Sequence, residues 1–342
     1  MDFGLSIVIP VYNGESTLEN CLSSIFASEG ADGRFEVIVV DDGCTDGSMA
    51  IAEKFPCRIK SLERNMGIGA ARNAGAREAK AEIIYFVDAD IVQKPDTIGI
   101  FIKAFDEDPE LVVAQAVWAK EALNPSFGGD FWALKTYYLI KIRQLGDVEV
   151  RKDAKSFNSG CLCIKRNVFW EFGGFDERYA CPGGEEHLLA FQMSQKYPLY
   201  QYKDIEVNHH FARAWPKVKI QFGRATRLGS IFWTRPEFAA VGSTTKDEAT
   251  RCAVACDVVP FLLIALFFAK ALWIVGALFV SFVVSGFRFY AFLGKEKGAA
   301  FAFAGIFYDF LLYVATGLGI CIGLAGFLAR KAFRKLEEQA DG

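Results

Sequence analysis

Strand-like and helix-like segments alternate through the first part of the chain, and this alternation narrows the fold more than any other feature. Leu5–Val11 is a short run rich in β-branched residues, and Phe35–Val40, Arg58–Leu62 and Glu82–Val87 read as further strands. Helical patterns fall between them. Leu18, Cys21, Leu22, Ile25 and Phe26 share one helical face, with Ser16 or Thr17 placed to cap it. A segment rich in small residues follows over 48–55, and another helix is expected over 67–79. Strands alternating with helices build a mainly parallel sheet with helices on both faces. From 106 to 202 the pattern is mixed.

The second half differs in character. Between Ala253 and Gly286 the only charges are Asp257 and Lys270, and between Ala299 and Ala329 only Asp309. Each stretch exceeds the ~20 apolar residues a bilayer span needs. The first has 34 residues, roughly 51 Å as one helix against ~30 Å of hydrocarbon. Two spans are therefore expected over 253–329, or three if the first stretch turns back near Lys270. Arg330, Lys331, Arg334 and Lys335 open a basic, then acidic, tail over 330–342, and basic residues favour the cytoplasmic side. Leu5–Val11 is too short, and lacks the basic flank, to serve as a secretory signal, so the N-terminal part is expected on the cytoplasmic face of the membrane. The segment 211–236 carries Arg213, Lys217, Lys219, Arg224, Arg227 and Arg235, no acid, and the aromatics Trp215, Phe222, Phe232 and Trp233. That mixture suits an interfacial segment. It carries no RNA- or DNA-binding motif, so no nucleic-acid partner is expected.

Bulk charge names no partner, since 38 basic and 41 acidic residues leave a net −3. The nine cysteines show no zinc-finger spacing and read as reduced cytosolic thiols. The informative polar residues sit elsewhere. Pro10-Val11-Tyr12-Asn13, Asp41-Asp42-Gly43-Cys44-Thr45-Asp46 and Asp88-Ala89-Asp90 each follow an expected strand. Open parallel sheets bind ligands at the carboxyl ends of their strands. One acidic strand end is ordinary helix capping, but three at one edge point to a site. Asp88 and Asp90, two apart on an extended chain, are expected on one side, where carboxylates can hold Mg²⁺ or Mn²⁺ with phosphate oxygens and water completing the shell.

These motifs, with Asn65-x-Gly67-x-x-x-Ala71-Arg72-Asn73-x-Gly75, resemble those of the family 2 glycosyltransferases, which have the nucleotide-diphospho-sugar transferase (GT-A) fold. Ser159-Gly160, Gly173-Gly174-Phe175-Asp176-Glu177 and Gly184-Glu185-Glu186 resemble the acceptor half of that family. The likeness covers roughly 4–215, with the motifs in family order. It implies a catalytic domain over 1–235 followed by an all-α transmembrane domain. It also implies that Asp41, with Asp42 beside it, meets the nucleotide base, that Pro10, Tyr12, Asn13 and Glu15 wrap base and ribose, and that Arg72 helps hold the donor. Asp88 would sit near ribose and metal, Asp90 would ligate the metal, and in some branches a histidine near His209 reaches the metal or the diphosphate.

The family usually carries Glu-Asp in the acceptor half, with the aspartate as general base. Here the matching position is Glu186, with Glu185 as substitute, and Leu188 stands where a further acid is usual. The expected reaction is an inverting transfer from a nucleotide-diphosphate sugar, UDP-sugars being the commonest family donors, to a lipid-linked or cell-surface glycan. Polyprenyl-phosphate sugar synthesis is the alternative, because an ionised phosphate needs no strong base. A catalytically silent membrane-bound assembly protein is a third reading, against which Asp41, Asp88 and Asp90 speak.

Overall fold

The computed structural model describes residues 4–147, 149–154, 156–178, 185–234, 246–265 and 270–340. Gly184, the Glu185 side chain, positions 235–236 of the basic segment and residues 266–269 before Lys270 lie outside them. The chain divides into two units, Met1–Phe211 and Ala212–Gly342. The boundary therefore precedes the basic segment, which had been expected to close the catalytic domain. That segment instead forms a helix of the second unit.

In the first unit, β1 (Leu5–Val11), β2 (Phe35–Asp41), β3 (Arg58–Ser61) and β4 (Ile83–Val87) alternate with α1 (Leu18–Phe26), α2 (Ser48–Ala52) and α3 (Ile68–Glu78). The order β3-β2-β1-β4 is parallel throughout. β1, β2 and β4 are buried on both faces, so their residues are nearly all apolar, and period-two alternation sends them to opposite cores, whereas β3 is the exposed, polar edge strand. Ile7, Ile9 and Val11 join Val37, Val39, Tyr85 and Val87 on one side; Val8 joins Ile38, Val40, Ile84 and Phe86 on the other. Pro10 is tolerated in a central strand because β4 pairs only with Leu5–Val8, so the missing N–H falls beyond that ladder.

Past β4 the sheet becomes mixed. It continues through β8 (Cys161–Lys165), β6 (Val113–Trp118), β9 (Tyr200–His209) and β5 (Ile91–Gln93), with β7 (Val150–Arg151) also on β9. β8 is antiparallel to β4, and β5 antiparallel to β9. The helices α4 (Thr97–Glu107), α5 (Phe127–Tyr137, continuing as a π-helix to Leu145), α6 (Arg166–Glu171) and α7 (Glu185–Ser194) complete the unit.

The second unit is helical among its described residues: α8 (Ala214–Thr234), α9 (Lys246–Ala265), α10 (Ala271–Ser285), α11 (Phe287–Lys297) and α12 (Ala299–Ala340). The first long apolar stretch is thus divided between α9 and α10 rather than forming one span. The expected tail continues α12 as helix. Among the described residues one helix, Ala299–Ala332, is long and apolar enough to cross a membrane, or two if α10 and α11, bent by 65°, count as one. Arg251 and Asp309 pair at 2.8 Å inside this unit, and the Tyr290 hydroxyl donates to the same Asp309 oxygen at 3.1 Å. The one charge that interrupts the apolar part of α12, Asp309, is therefore neutralised by Arg251 of α9.

Candidate active site

The loops after β1 and β2 are tied into one rim. Gly14 N–H donates to Ser48 Oγ at 2.8 Å, Thr45 N–H to Asn13 Oδ1 at 2.8 Å, and Gly47 N–H to Glu15 Oε2 at 3.2 Å. Asn13 holds φ +53°, a conformation asparagine tolerates better than most side chains. Tyr12, at 54% exposure, is left facing solvent, whereas Pro10 is buried within β1. Pro10 thus shapes the loop from below.

The paired aspartates after β2 differ. Asp41 accepts Cys44 N–H through Oδ1 at 2.8 Å, closing a turn that Gly43 completes at φ +79°. Asp42 is buried, and its two oxygens accept Met66 and Gly67 N–H at 2.6 and 3.1 Å. Burial, helped by the Asp41 charge, pushes its carboxyl above the usual aspartate range even though the two amides pull the other way. Asp42 therefore positions the loop leading into α3, while Asp41 stays at the crevice rim.

Arg72, expected to help hold the donor, lies on α3. It is 2% exposed, donates through Nη2 to Asp88 Oδ1 at 2.7 Å, and lies 5.4 Å over the Phe175 ring. Next to it, Asn73 exchanges hydrogen bonds with the Phe175 backbone at 2.8 and 2.9 Å, which fastens the Gly173–Glu177 loop onto α3.

Asp88 and Asp90 were expected side by side on an extended chain. The strand instead ends at Val87 and the chain turns, with Ile91 N–H donating to Asp88 O at 3.1 Å. The two carboxylates consequently meet different partners. Asp88 pairs with Arg72, and Asp90 Oδ1 lies 3.4 Å from His209 Nε2 at the end of β9. The His209 ring sits between Trp118 and Phe211, with centroids at 4.7 and 4.6 Å. Of the expected metal residues Asp88, Asp90 and His209, the last two face each other, while Asp88 Oδ1 accepts from Arg72. No cluster of three metal-ligating His, Cys, Asp or Glu occurs among the described residues. One carboxylate and one imidazole still suit Mn²⁺ or a similar divalent ion, provided diphosphate oxygens and water fill the remaining positions.

Glu186 opens α7. Its Oε2 accepts both the Ser159 N–H, at 3.0 Å, and the Ser159 hydroxyl, at 2.5 Å. Burial alone would raise this carboxyl; the His187 charge, the Ser159 hydrogen bonds and the Arg72 guanidinium outweigh it and hold it below the usual glutamate range. Gly160 links this group to the donor side, because a Cβ there would lie 2.5 Å from Asp88 Oδ2. Leu188, in the place of the usual further acid, is buried. Ser159 stood out only as part of the acceptor-half motif, and Trp118 had no role assigned: their partners Glu186 and His209 lie far along the chain.

Against known proteins, the profile described as Glycosyl transferase family 2 matches residues 6–173. An uncharacterized glycosyltransferase, YfnE of Bacillus subtilis, is 35% identical over 119 residues, covering 34% of this chain and 30% of the relative. Validoxylamine A glucosyltransferase of Streptomyces hygroscopicus subsp. limoneus is 27% identical over 216 residues, covering 55% of this chain and 47% of the relative. The chain thus spans less than half the length of these curated relatives. Among solved structures, the mannosyltransferase PcManGT of Pyrobaculum calidifontis, in complex with GDP-Man and Mn²⁺, aligns with a TM-score of 0.56 at 16% identity, over 96% of this chain and 88% of that one. At that identity the likeness is one of fold, and it is the GT-A architecture with a helical C-terminal unit that the sequence led us to expect.

Proposed function

The chain belongs to glycosyl transferase family 2, matched over residues 6–173, and we propose that it is an inverting glycosyltransferase using a nucleotide-diphosphate sugar. The observation that carries this reading is the meeting of three groups at the carboxyl edge of the sheet: the tied rim of Asn13, Glu15 and Asp41, the Asp90–His209 pair, and the Glu186 carboxylate held by Ser159. Asp41 and the Tyr12–Glu15 loop receive the nucleoside. Asp90 and His209 would hold the divalent ion, Mn²⁺ or Mg²⁺, which would supply positive charge against the diphosphate leaving group. Arg72 fixes Asp88 beside them. Glu186 takes the proton of the acceptor hydroxyl as that oxygen attacks the anomeric carbon from the face opposite the leaving group. Holding both reactants in one crevice supplies much of the acceleration.

The acceptor in this reading is a lipid-linked or cell-surface glycan, and the catalytic unit works on the cytoplasmic face of a membrane to which the C-terminal helices attach it. The low proton affinity of Glu186 also keeps the polyprenyl-phosphate alternative in view, since an ionised phosphate attacks without a base. The test is a donor-hydrolysis screen of purified protein against UDP-, GDP- and dTDP-sugars with Mn²⁺ and Mg²⁺, UDP-sugars first. No metal-stimulated hydrolysis of any donor would overturn the proposal.

Asp41→Ala should weaken nucleotide binding. One charged hydrogen bond contributes ~1.5–3 kcal/mol, so binding weaker by roughly ten- to hundredfold is expected. Calorimetry giving unchanged affinity would remove Asp41 from the site.

A further inference from the structure

The second unit holds a helix long and apolar enough to span a bilayer, yet its neighbour sits awkwardly for a span. α8 runs alongside α12 in parallel. Tyr308 Oη donates to Ala214 O at 2.9 Å, and Gln221 Nε2 to Thr316 Oγ1 at 3.1 Å. Further along, a Cβ on Gly319 would lie 2.7 Å from Phe222 O, and one on Gly229 would lie 2.6 Å from Ile320 O. The two backbones are therefore in direct contact from about Tyr308 to Ile320.

That is the middle of the apolar segment. Any stretch of ~20 residues within Ala299–Ala332 contains Tyr313–Leu318, because ~20 residues are what the hydrocarbon requires. At this level α8 exposes Lys219, with Arg227 exposed further along it and Arg213 exposed just before its first residue. Sliding the span toward either end of α12 draws one of these outer cations into the hydrocarbon in place of the other. Exposed cations at bilayer depth are strongly disfavoured. The circumference of the bundle is thus wrong for a span, although α12 alone has the right composition.

Its exposed apolar residues are arranged differently. Phe303, Phe307, Leu311, Leu318 and Ile322 repeat at helical spacing as one stripe along α12. α10 packs beside it through Phe279 and Phe282, whose rings lie 5.4 and 5.3 Å from Phe310, and it exposes Trp273, Val280 and Val284. One apolar stripe with a basic, aromatic-bearing helix on its flank is the pattern of an element lying in the plane of a membrane surface.

We propose that the C-terminal unit is monotopic: α12 lies in one leaflet along its Phe303–Ile322 stripe, and α8 sets Arg213 and Lys219 against anionic lipid headgroups. The occupant of the exposed apolar face is then the acyl region of an anionic bilayer. The inference rests on the membrane attachment proposed above and replaces the two or three spans expected from composition.

The experiment uses the full chain with protease sites at three places: an N-terminal tag, the α11–α12 joint at Gly298, and the C-terminus. Gly298 lies between α11 and α12 with open space around it, so the site is inserted beside it with the glycine itself kept. In sealed membrane vesicles from an expressing cell, all three sites should show the same accessibility. Opposite accessibility of the Gly298 and C-terminal sites, reversed only by detergent, means that α12 spans and overturns the proposal. A second arm floats purified protein with vesicles of phosphatidylcholine alone or with phosphatidylglycerol added. Binding should favour the anionic vesicles and fall with salt. Arg213→Gln/Lys219→Gln should lower it by tenfold or more, at roughly fivefold per juxtamembrane charge. Equal binding of the variant and the parent protein overturns the role of α8. If the protein floats with neither vesicle and stays soluble in cells, the membrane attachment itself fails, an outcome separate from a spanning α12.

Discussion

Glu186→Gln should cut turnover on a hydroxyl acceptor by about 10²–10⁴, the usual worth of a positioned acid–base group. The amide keeps the size of the side chain and one oxygen for Ser159 to donate to, so lost packing does not explain a loss of this size. Donor binding should change little, since the nucleoside rim is built from the loops after β1 and β2. Glu185→Gln serves as the internal control and should be milder. Normal turnover of both variants on the true acceptor would remove the base and favour a phosphate acceptor.

The pH profile gives an independent check on the same group. A general base works only when deprotonated, so activity falls as pH drops through the Glu186 pKa. The His187 charge, the Ser159 hydrogen bonds and Arg72 hold that pKa below the usual glutamate range against the opposing effect of burial. The acid limb should therefore lie below the glutamate range. Ser159→Ala removes the hydroxyl donor but keeps the backbone N–H, so the limb should move toward higher pH with donor affinity unchanged. An unmoved limb would mean that the titration belongs to another group.

The regular half of the fold was readable because burial of β1, β2 and β4 on both faces, and the regular alternation with helices, leave little ambiguity. β1, β2, β3 and β4 fall within a residue of their expected limits, since the apolar runs of β1, β2 and β4 admit few other readings and β3 falls between two helical patterns. The strands β5 to β9 were not readable. They pair across long sequence separations, as Val87 with Cys161 or Ile91 with His209, and local pattern carries no record of such partners. The site divides in the same way. Residues at strand ends were visible by type and position. Whether each reaches the crevice or is taken up by the protein was not, because that depends on distant donors: Met66 and Gly67 claim Asp42, and Arg72 claims Asp88. The alternation of an extended strand does not foresee the turn after Val87, which gives Asp88 and Asp90 different partners. In the second unit, composition identified the apolar helices and the basic segment but not that the basic helix packs along one of them, and that contact decides what the bundle can do in a lipid bilayer.

Asp90→Ala should abolish metal-dependent nucleotide binding and lower transfer by on the order of 10³ or more, comparable to or beyond the loss of a single donor to developing charge. The fold should survive, because the Asp90 side chain is 38% exposed and its backbone, not its carboxylate, accepts His210 N–H at 2.9 Å. His209→Ala should weaken Mn²⁺ binding with Asp90 intact, since an imidazole contributes one ligand and the carboxylate brings the charge. Asp88→Asn should act differently. It breaks the pair with the buried Arg72, leaving that guanidinium without its carboxylate, so it should lower the melting temperature as well as activity, whereas Asp90→Ala should lower activity alone. Manganese binding followed by electron paramagnetic resonance, with and without nucleoside diphosphate, separates these effects from turnover. The two-residue assignment predicts weak binding of Mn²⁺ by the protein alone and much tighter binding once the diphosphate supplies its oxygens. Full activity in EDTA, or tight nucleotide-dependent Mn²⁺ binding by Asp90→Ala, would show that the metal site lies elsewhere.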